Sequence, residues 1–202
     1  YTIFRTDTCE IKGGVIIYIK SKLNAVVCNE LLENNLEDTL WIWLKNQGKA
    51  DYLLGVVYRK GDSSLEHNTA LLQQIEKANQ VSKGRVLITG DFNLPNIDWK
   101  NYVVNDGENS FAQKFYDKLD DLFMHQHMTE PTRQRGNDTP NCLDLIITSN
   151  ESNVENIKVQ SPLGKADHNV IAWDYLINFD KICERDLYRF DYNKADYQKT
   201  VQ

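Results

Sequence analysis

The residues best suited to chemistry in this sequence are polar side chains at the ends of predicted strands. Asp91 and Asn93 follow the wholly apolar run Val86-Leu87-Ile88, and such a run is typical of a central strand covered on both sides. Ligands collect at strand ends in α/β folds. We therefore expect Asp91 to bind a cation or orient a proton, because a carboxylate there without a partner loses its hydration.

A second carboxylate and a histidine extend this set. Asp144 interrupts the apolar segment 143–147, and a charge inside such a strand must be paired, either in a structural ion pair or with a functional partner. His168 follows Asp167 and opens a strong predicted strand. A histidine oriented by a carboxylate can transfer a proton or stabilise developing charge. Tyr58 ends another predicted strand and is either a packed aromatic or a site residue.

Together these residue types indicate hydrolysis of a phosphate ester. Carboxylate and amide oxygens are hard ligands suited to Mg²⁺ or Mn²⁺. A histidine held by a carboxylate supplies proton transfer or positive charge at a phosphoryl oxygen.

The predicted elements alternate between strands and helices. Strands are predicted at 15–20, 24–28, 40–44, 52–58, 85–89, 142–148, 156–159 and 169–173. The strand at 24–28 is expected to form a hairpin with the one before it. Helices are expected after Ser63 and Ser110, each followed three residues later by Glu or Gln. This order predicts an α/β class with two packed sheets and helices outside.

The composition limits the classes of function. The chain has 202 residues, a net charge of −6 and a pI of about 5.2, which suits one soluble domain and argues against a basic DNA-coating module. No apolar stretch reaches the ~20 residues of a membrane helix. The four cysteines are scattered, so we expect free thiols in a reducing compartment.

The motifs in their order resemble a known superfamily. V-Y-R, L-I-T-G-D-F-N, L-D-L-I-I-T-S and P-L-G-K-A-D-H-N-V-I resemble the endonuclease/exonuclease/phosphatase superfamily. They resemble more closely the apurinic-type endonuclease domain of non-LTR (LINE-type) retrotransposons. E-P-T-R at 130–133 and the tail at 188–197 support the narrower match.

The resemblance implies the architecture and the activity. It implies a four-layer α/β sandwich of two packed mixed β-sheets flanked by helices, spanning residues 1–177. Residues 178–202 would then form a connector toward a reverse transcriptase. The implied activity is Mg²⁺-dependent (or Mn²⁺-dependent) nicking of DNA, in an intracellular, nuclear setting without a membrane.

The resemblance also implies roles for the strand-end residues. Asp91 would orient or activate the attacking water, and Asn93 would position that water and the phosphate. Tyr58 would contact the scissile phosphate. His168, held by Asp144, would stabilise or protonate the phosphoryl group.

Four further residues are site candidates on the same ground. Asp167 is expected on the metal side of the site. Arg59, Thr132 and Arg133 are expected to bind phosphate or DNA.

The sequence departs from the family pattern in two ways. The family has an Asn on its first strand and a metal-binding Glu at the end of its second, and both positions fall before Tyr1. We therefore expect the domain to lack the first strands and helix. Ala166 stands where the family has a Ser before Asp-His.

Two other functions are compatible with the sequence. One is a truncated, catalytically inactive remnant that acts at most as a nucleic-acid binding or interaction module. The other is the same chemistry on a phosphoinositide or an RNA tail, which the retrotransposon-like tail disfavours.

Overall fold

The computed structural model describes residues 1–7, 13–34, 36–46, 48–136 and 138–177. The strands are β1 (Thr2–Thr6), β2 (Val15–Ile19), β3 (Ala25–Val27), β4 (Thr39–Leu44), β5 (Tyr52–Tyr58), β6 (Val86–Asp91), β7 (Ile97–Asp98), β8 (Val103–Val104), β9 (His125–Gln126), β10 (Asp144–Thr148), β11 (Val154–Gln160) and β12 (Val170–Tyr175). The α-helices are α1 (Leu65–Ser82) and α2 (Phe111–Asp121), and short 3-10 helices span Asn29–Asn34 and Glu151–Asn153. The predicted connector at 178–202 lies outside the described residues.

A six-stranded mixed sheet forms the centre of the fold. Its strand order is β3-β4-β5-β6-β10-β9, with β5 and β6 parallel and the other neighbours antiparallel. Parallel strands need a long crossover, and α1 supplies it between β5 and β6. The sheet and its helices confirm the predicted α/β class.

Both α-helices pack on one face of this sheet. Their N-caps are Ser64 and Ser110, whose hydroxyls accept hydrogen bonds from the backbone N–H three residues on. The first cap is one residue later than the predicted Ser63. Leu71 and Ile75 of α1 and Phe115 of α2 join the fully buried core under the sheet.

Two strand pairs cover the opposite face. The β1–β2 pair packs on β4 and β5 around Val15, Leu40 and Ile42, and the β11–β12 pair packs on β6 and β10 around Leu87 and Ile146. The central strand β6 is therefore covered on both faces, as its apolar run predicted. These pairs are the second sheet layer of the sandwich in the described residues.

The predicted hairpin between residues 15–20 and 24–28 is wrong. β2 instead pairs antiparallel with β1, and β3 pairs with β4 in the other layer. The chain therefore crosses between the layers after Ile19. β3, β4 and β5 form an antiparallel meander in the six-stranded sheet.

Two smaller expectations concern the described part of the chain. None of its helices is long and apolar enough to cross a membrane. Its cysteines, Cys28 and Cys142, are free thiols.

Gly90 allows β6 to lie close to β5. Its φ is +136°, and a Cβ at this position would lie 1.9 Å from the carbonyl oxygen of Val57. Only a residue without a side chain fits both constraints. The strand that carries Asp91 therefore depends on a glycine directly before it.

We expect Gly90→Ala to lower the free energy of unfolding by about 2–4 kcal/mol, because it adds overpacking to an unfavourable φ. Urea denaturation followed by circular dichroism measures this loss. Gly107→Ala is the matched control, since a Cβ at Gly107 meets nothing within 4 Å. Equal stability of the two variants would contradict the packing argument.

Candidate active site

Three neighbouring strands place polar side chains in one row. Tyr58 is the register partner of Asp91 in the parallel β5–β6 pair, and Asp91 is the partner of Asp144 in the antiparallel β6–β10 pair. Directly opposed residues present their side chains on the same face of a sheet. That face carries the two strand pairs: Tyr58 packs beside the β1–β2 cluster, and Ile146 belongs to the β11–β12 cluster.

His168 joins this row from the segment before β12. Its Nδ1 lies 2.8 Å from Asp144 Oδ2, and its Nε2 lies 3.8 Å from Asp91 Oδ2. The structure therefore gathers Asp91, Asp144 and His168 at one place. The hydrogen-bonded pair, Asp144 and His168, is separated by 24 positions in the sequence. With Nδ1 donating to Asp144, the neutral ring presents Nε2 to Asp91.

The site concentrates negative charge. Burial and the nearby Asp144 carboxylate raise the pKa of Asp91 to about 6, although His168, the backbone N–H of Asn93 and Arg133 act in the opposite direction. The side chain of Asp91 is only 14% exposed. A group with this pKa can gain and lose a proton near neutral pH.

The turn after β6 fixes the direction of the Asp91 carboxylate. Oδ1 accepts a hydrogen bond from the backbone N–H of Asn93 at 3.0 Å, which leaves Oδ2 on the side of His168. Asn93 has a left-handed φ of +52°, a conformation that Asn tolerates better than most residues. Between them, Phe92 is fully buried against Phe115, with ring centroids 5.1 Å apart.

The donor set fits a hard divalent cation with few protein ligands. No group of three or more His, Cys, Asp and Glu side chains suited to a metal ion occurs among the described residues. Mg²⁺, however, usually takes one or two carboxylates and completes its shell with water and substrate phosphate. The Asp144 carboxylate, which helps to raise the pKa of Asp91, also adds negative charge that a bound cation would neutralise.

The comparisons with known proteins bear on the family and the fold. Residues 52–172 match the family described as Endonuclease-reverse transcriptase, which is more than half of the chain. The chain belongs to the endonuclease-reverse transcriptase family. No curated protein matches the sequence. Among solved structures, the endonuclease domain of TRAS1, a telomere-specific non-LTR retrotransposon, shares the fold with a TM-score of 0.66 at 15% identity, over 87% of this chain and 80% of that one.

The match confirms the resemblance given by the sequence motifs. The matched segment begins at the first residue of β5 and ends within β12. It therefore contains all nine of the predicted site residues, from Tyr58 to His168. This is an endonuclease-type domain of the endonuclease-reverse transcriptase family.

Arg59 does not line the site of this endonuclease-type domain, although the sequence predicted a phosphate contact. It is 4% exposed, its Nη1 donates to the carbonyl oxygens of Phe92 and Asn93 at 3.2 Å each, and its Nε donates to Asn68. Its guanidinium also lies 4.5 Å from the ring centroid of Phe111. Arg59 therefore holds the turn after Asp91 from its buried side. No sequence signal distinguishes this role from ligand binding.

Thr132 is likewise buried, with no exposed surface. Its Oγ1 accepts hydrogen bonds from the backbone N–H groups of Leu143 and Asp144 at 3.0 and 2.9 Å, and its carbonyl accepts one from Asn169. A buried hydroxyl with these partners cannot reach a phosphate on the surface. Thr132 instead joins the start of β10 to the segment that carries His168.

Arg133 and Asp167 form an ion pair at the rim of the site. Arg133 Nε and Nη2 each lie 3.0 Å from Asp167 Oδ2. This hydrogen bond is the main cause that lowers the pKa of Asp167. The sequence predicted these residues as separate phosphate and metal contacts and gave no sign of their pairing.

We expect Asp91→Asn to raise the free energy of unfolding at pH 7.5 by about 2–3 kcal/mol. In the wild-type protein the raised pKa means that the native state holds an extra proton between about pH 4 and 6. Stability linked to Asp91 is therefore greatest below pH 4 and is lost as the pH rises through 6. Asn93 N–H keeps an acceptor in the variant.

Urea denaturation of both proteins between pH 4 and 7.5 checks this expectation. The advantage of Asp91→Asn should shrink steadily as the pH falls. A constant difference across the range would contradict the burial of an ionised carboxylate.

Thr132→Val should destabilise the domain by about 2–4 kcal/mol, because two buried N–H groups lose their acceptor. Thr132→Ser keeps the hydroxyl and should lose about 1 kcal/mol, from one buried methyl group. Denaturant titration of the pair measures the difference. If Thr132 instead contacted phosphate, Thr132→Val would weaken DNA binding without this loss of stability.

Proposed function

We propose that this domain is a metal-dependent endonuclease that hydrolyses one phosphodiester bond of DNA and so nicks its target. The observation that carries the proposal is the 3.8 Å approach of His168 Nε2 to Asp91 Oδ2, with Asp144 hydrogen-bonded behind the ring. These side chains lie next to each other at the ends of the central strands, where they can act together on one bound phosphoryl group. Membership of the endonuclease-reverse transcriptase family supports DNA as the substrate and a linked reverse transcriptase as a partner.

Asp91 acts as the general base in this proposal. Its carboxylate is ionised above a pH of about 6, so at neutral pH it can accept a proton from the attacking water. The hydrogen bond from Asn93 N–H holds Oδ1, and Oδ2 is left for that water. Because the carboxylate is already oriented, the entropy lost when the base is positioned for proton transfer is smaller.

His168 stabilises the phosphoryl group. Its Nδ1–H donates to Asp144, which fixes the ring orientation, and the step uses the imidazolium form of the ring, in which Nε2 also carries a proton. Nε2–H then donates to a phosphoryl oxygen as charge develops on it. Such a preorganised donor in a half-buried site is stronger than one in water.

Asn93 and Tyr58 complete the positioning of the substrate. Asn93 Nδ2 donates to the carbonyl oxygen of Arg59 at 3.3 Å, so the amide is held with its oxygen available to the water. Tyr58 is half-buried beside Asp91 in the sheet register. Its phenol can donate to the scissile phosphate.

Mg²⁺ is the cation that we propose, and Mn²⁺ can replace it. Asp91 would help to hold it through a water molecule, and other water molecules and phosphate oxygens would complete its shell. The bound cation supplies Lewis-acid charge that stabilises the phosphoryl oxygens. Because the proposed substrate is DNA, we also propose an intracellular, nuclear location.

Plasmid nicking tests the proposal. We expect the wild-type chain to convert supercoiled plasmid to the nicked form with Mg²⁺ and not with EDTA. Asp91→Asn and His168→Ala should each lose about 10²–10⁴-fold, and Asp144→Asn about 10²-fold or more, because the ring loses its orientation. Full activity of Asp91→Asn or His168→Ala would contradict the mechanism.

His125→Ala is the matched control for His168→Ala. His125 is exposed in β9 and lies outside the site, so its loss should leave nicking unchanged. Far-ultraviolet circular dichroism of each variant shows whether it is folded.

The inactive remnant is the second candidate, and Ala166, which stands where the family has a Ser before Asp-His, favours it. Isothermal titration with Mg²⁺ separates the two functions. The endonuclease requires binding in the low-millimolar range or tighter that is lost in Asp91→Asn. A wild-type chain that neither binds Mg²⁺ nor nicks plasmid is the remnant.

A further inference from the structure

Arg133 and Asp167 are linked by backbone as well as side chains. Arg133 forms antiparallel bridges with both Asn141 and His168, and the Gln134 N–H donates to the carbonyl oxygen of Asp167 at 3.1 Å. The two segments therefore lie side by side next to His168. The ion pair is part of this local sheet-like structure and is not an isolated contact between mobile surface side chains.

The ion pair leaves most of the guanidinium available. Arginine has five N–H donors, and the pair uses donors on Nε and Nη2, both directed to Oδ2 of Asp167. The side chain of Arg133 is 34% exposed and that of Asp167 is 38% exposed. A planar guanidinium that is held from one side and open on the other is well suited to phosphate.

The charge of Arg133 acts on the reacting groups. It is among the groups that lower the pKa of Asp91, so its guanidinium is within electrostatic reach of the proposed base. A phosphate bound beside Asp91 and His168 is then also within reach of this cation. Arg59, by contrast, is buried beneath the turn and has no such access.

Asp167 is a poor candidate for a metal ligand in this arrangement. Its carboxylate already accepts two N–H groups from a cation, and a divalent ion beside it would be repelled by the guanidinium. The described residues also contain no group of three acidic, histidine or cysteine side chains that includes it. Asp91 is left as the carboxylate that can face a metal.

We propose that Asp167 is a positioning residue, which holds the Arg133 guanidinium against the phosphate that is cleaved, and that it does not bind the metal. This inference rests on the proposed endonuclease function. Arg133 contacts an oxygen of the phosphate that is cleaved. Asp167 acts only through Arg133.

A double-mutant cycle tests the proposal. Plasmid nicking is measured for Asp167→Asn, Arg133→Ala and the double variant over a range of Mg²⁺ and of plasmid concentration. We expect each single variant to raise the KM for plasmid about tenfold, and the double variant to be no worse than Arg133→Ala alone. The Mg²⁺ concentration that gives half-maximal activity should stay within about twofold of the wild-type value.

Two outcomes would overturn the inference. A higher Mg²⁺ requirement in Asp167→Asn with an unchanged requirement in Arg133→Ala would make Asp167 a metal ligand. Additive losses in the double variant would make the two residues independent. Arg133→Lys distinguishes charge from geometry, because a lysine keeps the charge without the planar fork, and it should recover only part of the wild-type KM.

Asp51→Asn is the matched control. Asp51 forms an ion pair of similar exposure with Lys45, at 2.7 Å. It directly precedes the first residue of β5, whereas Tyr58 is the last residue of that strand. Loss of this pair should leave KM and the Mg²⁺ requirement unchanged.

The design separates failure of the inference from failure of the proposed function. If nicking depends on His168 but is unaffected by Asp167→Asn, the inference is wrong and the proposed function stands. If no nicking depends on His168, the proposed function fails, and anisotropy of a labelled DNA duplex then replaces the assay. Equal weakening of duplex binding by Arg133→Ala and Asp167→Asn supports the positioning role, and unchanged binding overturns it.

Discussion

The hydrogen-bond register of the central strands is the constraint on which the site depends. Parallel pairing of β5 with β6 and antiparallel pairing of β6 with β10 set Tyr58, Asp91 and Asp144 side by side. A slip of one residue in either pair would turn a carboxylate toward the helical core. The apolar residues that precede Asp91 and follow Asp144 fix the register, because each must stay on its buried face.

This row of polar groups is costly, and the surrounding structure offsets the cost. Two carboxylates share one partly buried region, and the pKa of Asp91 rises accordingly. His168 contacts both of them, and Arg59 and Thr132 fix the backbone on either side. The stability lost at the reacting groups is thus recovered through buried hydrogen bonds that never touch a substrate, a common arrangement in functional sites.

The sequence predicted those features whose cause is local. The run at 86–88 marks a central strand because no polar face is present, and Asp144 needs a partner because its own strand is apolar. Features decided by distant segments were missed. β3 pairs with β4 and not with β2, the strand before it. Arg59 and Thr132 were predicted to be surface ligands because nothing in their flanking residues indicates burial. The partner of Asp167 is 34 positions away, which no spacing rule reaches.

The contacts of Arg59 have a consequence for how substitutions in the helices affect this domain. One guanidinium touches Asn68 of α1, Phe111 of α2 and the turn that carries Asn93. Arg59 therefore couples the helical layer to the candidate site, alongside the packing of Phe92 on Phe115. Substitutions at the helix ends nearest to Arg59 should disturb the candidate site although they lie outside it.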